Sequence, residues 1–232
     1  MKGYSTMKIR PVLASIALTF MSASCGVVQS PLSDVPISDP SVLRVIAQAN
    51  RGIGTSGSVT SLLEVRLYDK HDEWVQLKEG SVTVNGLPMD YGGFGQYARN
   101  DEVRADANYA YVVTLSDGSH YTCGAHTPKN LFQLTVPASY NRAGPLTVSW
   151  LQVDSASQAS LEIKGDTVTA KFYPISSQGS FTLQSADLAR FHHGQTLLIT
   201  LMYLRPGQAD SRFMSTSSAS ASCSISRNIQ LN

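Results

Sequence analysis

Charge is scarce in this chain. Only 15% of its 232 residues are Asp, Glu, Lys or Arg, and the formal net charge is +1. Such a balance leaves no basic footprint for nucleic acid and no acidic or polybasic tail. Long apolar runs are missing as well. The longest candidate, from Val12 to Met21, has about ten residues, half of the roughly 20 that a bilayer-spanning helix needs. Metal-ligand spacings are absent too: His71, His120, His126, His192 and His193 form no His-x-x-x-His pair, and no cysteine pair joins them. There is no Gly-x-Ser-x-Gly elbow, and no Ser-x-x-Lys stands at the start of a helix. Because Ser/His/Asp triads are assembled in space, a hydrolase with such a site is kept as a third alternative. These absences point to a non-enzymatic protein that carries no cofactor and no metal.

What is present begins at the N-terminus. Lys8 and Arg10 form a positive head, the Val12–Met21 run follows, and Ser22-Ala23-Ser24 leads into Cys25. That is the layout of a secretory signal peptide. A second Met-Lys at Met7 makes Met7 the expected start. The segment resembles the signals of bacterial lipoproteins. The resemblance implies removal of residues 1–24, lipidation of Cys25 with acyl chains such as palmitate, and a cell-envelope protein held to the outer membrane or surface. Lipoprotein signals usually carry Leu three residues before the cysteine, and here that position is Ser22. An ordinary cleaved signal, with a soluble secreted or periplasmic product, is the alternative.

The rest has an exported, all-β look, with abundant Gly, Ser and Thr and apolar residues in short alternating runs. Residues 25–40 contain three prolines and no periodicity, and they are read as an extended tether. From Ser41 the alternation of Leu43, Val45 and Ala47 favours strand over a helix capped at Ser38-Asp39-Pro40. Gly52-Ile-Gly-Thr-Ser-Gly57 spells the dinucleotide fingerprint. Period-two alternation follows it instead of a helix, so a hairpin loop is the better reading. Asn85-Gly86 and Asp117-Gly118 mark two further hairpins. Asp90 to Asn108 reads as a long loop or irregular strand.

Leu146-Thr-Val-Ser-Trp150 resembles the second strand of a fibronectin type III domain, whose Trp fills the sandwich. Phe181-Thr-Leu183, Asp187-Leu188, Gly194-Gln-Thr-Leu197 and Ile199-Thr-Leu201 resemble that family's fifth strand, turn and sixth strand. Leu197 stands where the family has Tyr, and the Tyr-x-Val strand after the Trp is missing. The fold expected is therefore two tandem immunoglobulin-like, fibronectin type III-like β-sandwich domains, 41–140 and 141–232, following the signal peptide and tether.

Cys123 and Cys223 are both placed on inward faces. Cys223 alternates with Ala219, Ala221 and Ile225, and Cys123 shares a face with Tyr121. Set in different cores, they are not expected to form a disulfide. Asp69, Asp72 and Glu73 are read as a charged turn rather than a calcium site. Tyr91, Phe94 and Tyr97 in the Gly-rich segment are the candidate binding loop, since loop aromatics supply contact area. The functional expectation is a non-catalytic binding or spacer module of the envelope. Its partners would be the membrane, through lipid on Cys25, and a protein or glycan ligand. A carbohydrate-binding accessory of polysaccharide handling is the alternative.

Overall fold

Period-two alternation becomes strand wherever a second layer covers the apolar positions. The computed structural model of the protein describes residues 28–129, 133–141, 143–151, 157–165, 171–175 and 179–232. The signal segment, Cys25 and residues 131–132 lie outside the described residues. The first half contains β1 (Arg44–Ile53), β2 (Val59–Tyr68), β3 (Ser81–Val84) and β4 (Leu87–Pro88). It continues with β5 (Asp90–Gly93), β6 (Gln96–Arg99), β7 (Asn108–Thr114) and β8 (His120–His126). The second half has β9 (Leu134–Thr135), β10 (Ser139–Tyr140), β11 (Leu146–Trp150), β12 (Gln158–Gly165) and β13 (Lys171–Ile175). It ends with β14 (Ser180–Leu183), the one-turn helix α1 (Ser185–Leu188), β15 (Thr196–Pro206) and β16 (Ser218–Leu231).

The result is an all-β sandwich with an unequal division of layers. One long sheet runs in the order β13-β12-β15-β16-β1-β2-β6-β5, with β10 pairing alongside β16. Two smaller sheets cover it, β4-β3-β7-β8 over one half and β14-β11-β9 over the other. Alternation explains why both lie on the same side: Val45, Ala47 and Ala49 of β1, Leu63, Val65 and Leu67 of β2, and Ala219, Ala221, Cys223 and Ile225 of β16 are all buried. Neighbours in register share a face of a sheet. On the other face polar pairs cross β1, β16 and β15, with Ser222 donating to Asn50 Oδ1 at 2.7 Å and Thr200 bonded to Ser226 at 3.0 Å, while Phe172 of β13 stands exposed there.

β9, which precedes residue 140, already belongs to the second covering sheet through its pairing with β11, and β16 contributes to both cores. β16 pairs parallel with β1 from Ile46–Ser218 to Ile53–Ile225 and antiparallel with β15 along its length. Its first half, with Phe213, belongs to the first core, and its second half, with Ile225, Ile229 and Leu231, belongs to the second. The chain therefore returns to its first sandwich after building most of its second. In that second half Trp150 is buried on β11 beside the strand holding Phe181–Leu183, as the fibronectin-like resemblance implies.

β8 and β16 pack against one another, and Gly124 and Gln208 exchange backbone hydrogen bonds at 2.7 and 2.9 Å beside Cys123. Separation into different cores is thus not what keeps the two cysteines apart, yet both are buried free thiols. Burial pushes both thiols up, Cys223 to about 11.

Candidate functional site

The segment expected to be a tether is built into the first sandwich. Ser30 N–H donates to Trp74 O at 2.9 Å and Trp74 N–H to Val28 O at 3.1 Å, a short parallel bridge. Pro31–Asp34 then makes a 3-10 turn with proline in its first turn, where a missing N–H costs nothing. The Ser30 hydroxyl oxygen caps that turn by accepting from Leu32 N–H at 3.2 Å. Further on, Ser33 Oγ accepts from Gln76 N–H at 2.9 Å, and Ile37, only 4% exposed, enters the first core. Single anchoring residues set among prolines leave no periodicity, which is why the docking is silent in sequence.

Asp69 organises this end of the molecule. Its carboxylate accepts the Ser30 hydroxyl at 2.6 Å and the backbone N–H groups of His71 and Glu73 at 2.8 and 3.1 Å. Burial raises its pKa, but these three donors outweigh burial and leave it below the ordinary carboxylate value. Asp72 stands at positive φ, 63°, and pairs with Arg44 at 2.9 Å. With these partners the acidic cluster acts as a turn that clasps the incoming chain. Beside it lies a groove of about 430 Å³, lined by Pro31, Leu32, Val42, Asp69 and His71 among others.

The Gly-rich segment, expected as loop or irregular strand, is the hairpin β5–β6. Tyr91 pairs with Tyr97 across it, their rings 5.1 Å apart. The turn consists of Phe94 and Gly95, both at positive φ, 51° and 69°. That is the type I′ pattern, which suits strand twist but strains any residue with a Cβ. Gly95 is also required by space, because a Cβ there would stand 2.5 Å from Leu67 O. This close approach lets Gly95 O accept from Leu67 N–H at 2.9 Å.

The three aromatics of the candidate loop separate under this register. Tyr97 is a core residue, 6% exposed, whose hydroxyl accepts from Leu77 N–H at 2.8 Å. Burial pushes its phenol up to about 12. Tyr91 is half-buried against the same core, and its hydroxyl accepts from Gly95 N–H at 3.4 Å. Phe94 alone projects, 71% exposed, with its ring meeting Trp74 edge-on at 5.9 Å. Sequence reasoning missed Trp74 as the partner of that ring. The signal was its position directly after the strand-breaking Asp72-Glu73.

Two of the histidines, His120 and His126, have separate partners. His120 Nδ1 bonds Thr114 Oγ1 at 2.9 Å, while His126 uses Nδ1 on Asn108 at 2.6 Å and Nε2 on Asp106 at 3.0 Å. Both sit on β8, at opposite ends, so they do not meet across a hairpin end. With both ring nitrogens taken, His126 has none left to activate a serine. Among the described residues no group of three His, Cys, Asp or Glu side chains is placed to hold a metal ion. Nor, among them, is any helix long and apolar enough to cross a membrane.

No protein-family model matches the chain, and no curated protein matches it. Solved structures of similar shape include the FN1–FN3 domains of chicken CNTN1, at 12% identity and TM-score 0.27, aligned over 83% of this chain and 69% of that one. A chain of a cytokine receptor complex aligns at 10% identity and TM-score 0.32 over 77% and 90%. Fibronectin(III)-like modules of CbhA from Clostridium thermocellum align at 11% identity and TM-score 0.26 over 81% and 94%. Likenesses this loose establish no common family.

Proposed function

We propose that this protein is an exported, lipid-anchored component of the bacterial cell envelope that works without catalysis, as a rigid binding or spacing body. The observation that carries the reading is the docking of residues 28–42. A lipidated Cys25 lies only three residues before Val28, and Val28 and Ser30 are already bonded to Trp74. Three residues of extended chain reach no more than about 11 Å, so the anchor and the first sandwich act as one unit. The signal-like segment ending at Cys25 supplies the export half of the reading. The doubly bonded ring of His126 and the turn-forming role of Asp69 support the non-catalytic half.

The test is direct. A diacylglyceryl mass on the mature N-terminal Cys25, together with a shift of the Cys25→Ser variant from membrane to soluble fraction, is the expected result. A mature chain that starts elsewhere, or wild-type protein recovered wholly soluble, sinks the anchor and leaves a secreted or periplasmic protein.

A second reading is favoured by one feature, the exposed Phe94 ring at a hairpin tip. On that reading the protein is a glycan-binding accessory, with Phe94 stacking on a sugar face. Retention on insoluble envelope polysaccharide that is lost in Phe94→Ala would support it, and equal retention of both proteins would remove it.

A further inference from the structure

We propose that Phe94 and Trp74 form a membrane-contacting patch, which lays the end of the first sandwich onto the bilayer beside the anchor. The inference rests on the lipid-anchored reading and adds an orientation and a lipid ligand to it. Three independent observations converge on this end. Phe94 holds a large apolar ring in solvent, 71% exposed, on a backbone at φ 51° that few bulky residues adopt. Strain of this kind persists where the surrounding structure enforces it, and it clusters at contact sites. Trp74 stands against it, and the backbone of Trp74 is the element to which Val28 and Ser30 are bonded. Val28 is itself 61% exposed and is the described residue nearest in sequence to Cys25.

Geometry then selects the occupant. A chain held through Cys25 cannot stand off on a stalk, because residues 28–42 are packed into the body. The lipidated residue lies within about 11 Å of Val28, Val28 is bonded to the backbone of Trp74, and the Phe94 ring stands against Trp74. Trp and Phe favour the boundary between headgroups and acyl chains, where an apolar ring is buried while polar neighbours stay wet. The neighbours here suit a headgroup layer: Lys70 and His71 are exposed, and Asp72 is neutralised by Arg44.

The chain has two tryptophans, and Trp150 is buried in the second core, so Trp74 is the residue whose emission can report on lipid. The experiment takes the acylated full chain, purified from membranes, into phosphatidylcholine vesicles with and without bromine on the acyl chains. Expected are quenching of the Trp74 share of the emission, its loss in Trp74→Phe, and a clear reduction in Phe94→Ala. Confirmed acylation of Cys25 with no quenching overturns the proposal while leaving the anchor intact.

If mass analysis finds Cys25 unmodified, the anchored reading falls, and the patch is tested separately. Cys25 of the chain beginning there is coupled to a maleimide phospholipid, which Cys123 and Cys223 escape by burial. Quenching in those vesicles supports the patch, and its absence overturns it. Self-association in solution that Phe94→Ala abolishes, without quenching in vesicles, would make this face a contact between copies and also overturn the proposal.

Discussion

Twice in its first half the chain reverses through two residues at positive φ, and it treats the two corners differently. Between β3 and β4 the residues are Asn85 and Gly86, at φ 50° and 79°; between β5 and β6 they are Phe94 and Gly95, at 51° and 69°. Asn tolerates the left-handed region, and Asn85 also uses its side chain. Its Oδ1 accepts from Ala110 N–H at 2.8 Å and its Nδ2 donates to Asn108 O at 3.3 Å, tying the turn to β7. Phe94 tolerates the conformation poorly, and its ring remains in solvent. One corner follows local preference at every level. The other breaks it at Phe94, whose ring meets Trp74 beside the N-terminal segment, and a broken local rule is what a functional site would require on the proposed reading.

The contrast can be broken most severely at Gly95. A Cβ there meets backbone oxygen as well as an unfavourable φ, so Gly95→Ala should cost about 3 kcal/mol in denaturant unfolding. Gly86→Ala, where a Cβ meets nothing within 4 Å, should cost only about 1 kcal/mol. Equal losses would show that the two turns differ only in sequence.

Next in size is Asp69→Ala, which orphans three donors and should cost about 2 kcal/mol while releasing residues 28–34 to proteolysis. Its pH dependence has a definite sign. The native carboxyl lies below its ordinary value, so its contribution is present above the ordinary carboxylate range. It is lost as pH falls below about 4, through the depressed native pKa. Asp69→Asn should flatten that acid limb of the stability curve.

Tyr97 and Phe94, the two ends of one expected loop, supply a smaller pair of tests. Tyr97→Phe removes the acceptor of Leu77 N–H and should destabilise by about 1 kcal/mol. The raised phenol contributes stability that is whole below pH 10 and lost as pH rises towards about 12. Phe94→Asn should do the reverse of a core mutation and stabilise, by up to about 1 kcal/mol, by relieving the turn. A loss of stability in Phe94→Asn would place its ring among the packing residues.

The smallest expected change concerns the thiols. Ellman-type labelling of Cys123 and Cys223 should be negligible in native protein at neutral pH and should track global unfolding, as expected of buried, high-pKa cysteines.

Much of the local structure was legible because it depends on neighbours in sequence. The Ala219, Ala221, Cys223, Ile225 alternation gave strand and face together, and Asn85-Gly86 gave a hairpin through the conformational needs of two residues. The Gly52–Gly57 stretch closes β1 onto β2 as a hairpin, with no helix after it. The candidate site was half legible. Phe94 does project, but the split between Phe94 and Tyr97 depends on the register of β5 against β6, and a run of glycines carries no alternation from which a register could be read.

By itself the sequence determined strand faces, turn positions and the burial of Trp150, because period and turn chemistry are properties of a few consecutive residues. Tertiary structure alone decided that β16 lies between β1 and β15, so that two sandwiches share one sheet. It also decided that residues 28–42 clasp the body rather than trail from it. Both outcomes are pairings between distant segments, chosen by which surfaces remain to be covered once local structure has formed. In the same way, Trp74 becomes the partner of Phe94 because Leu67 bonds both Gly95 and Val75.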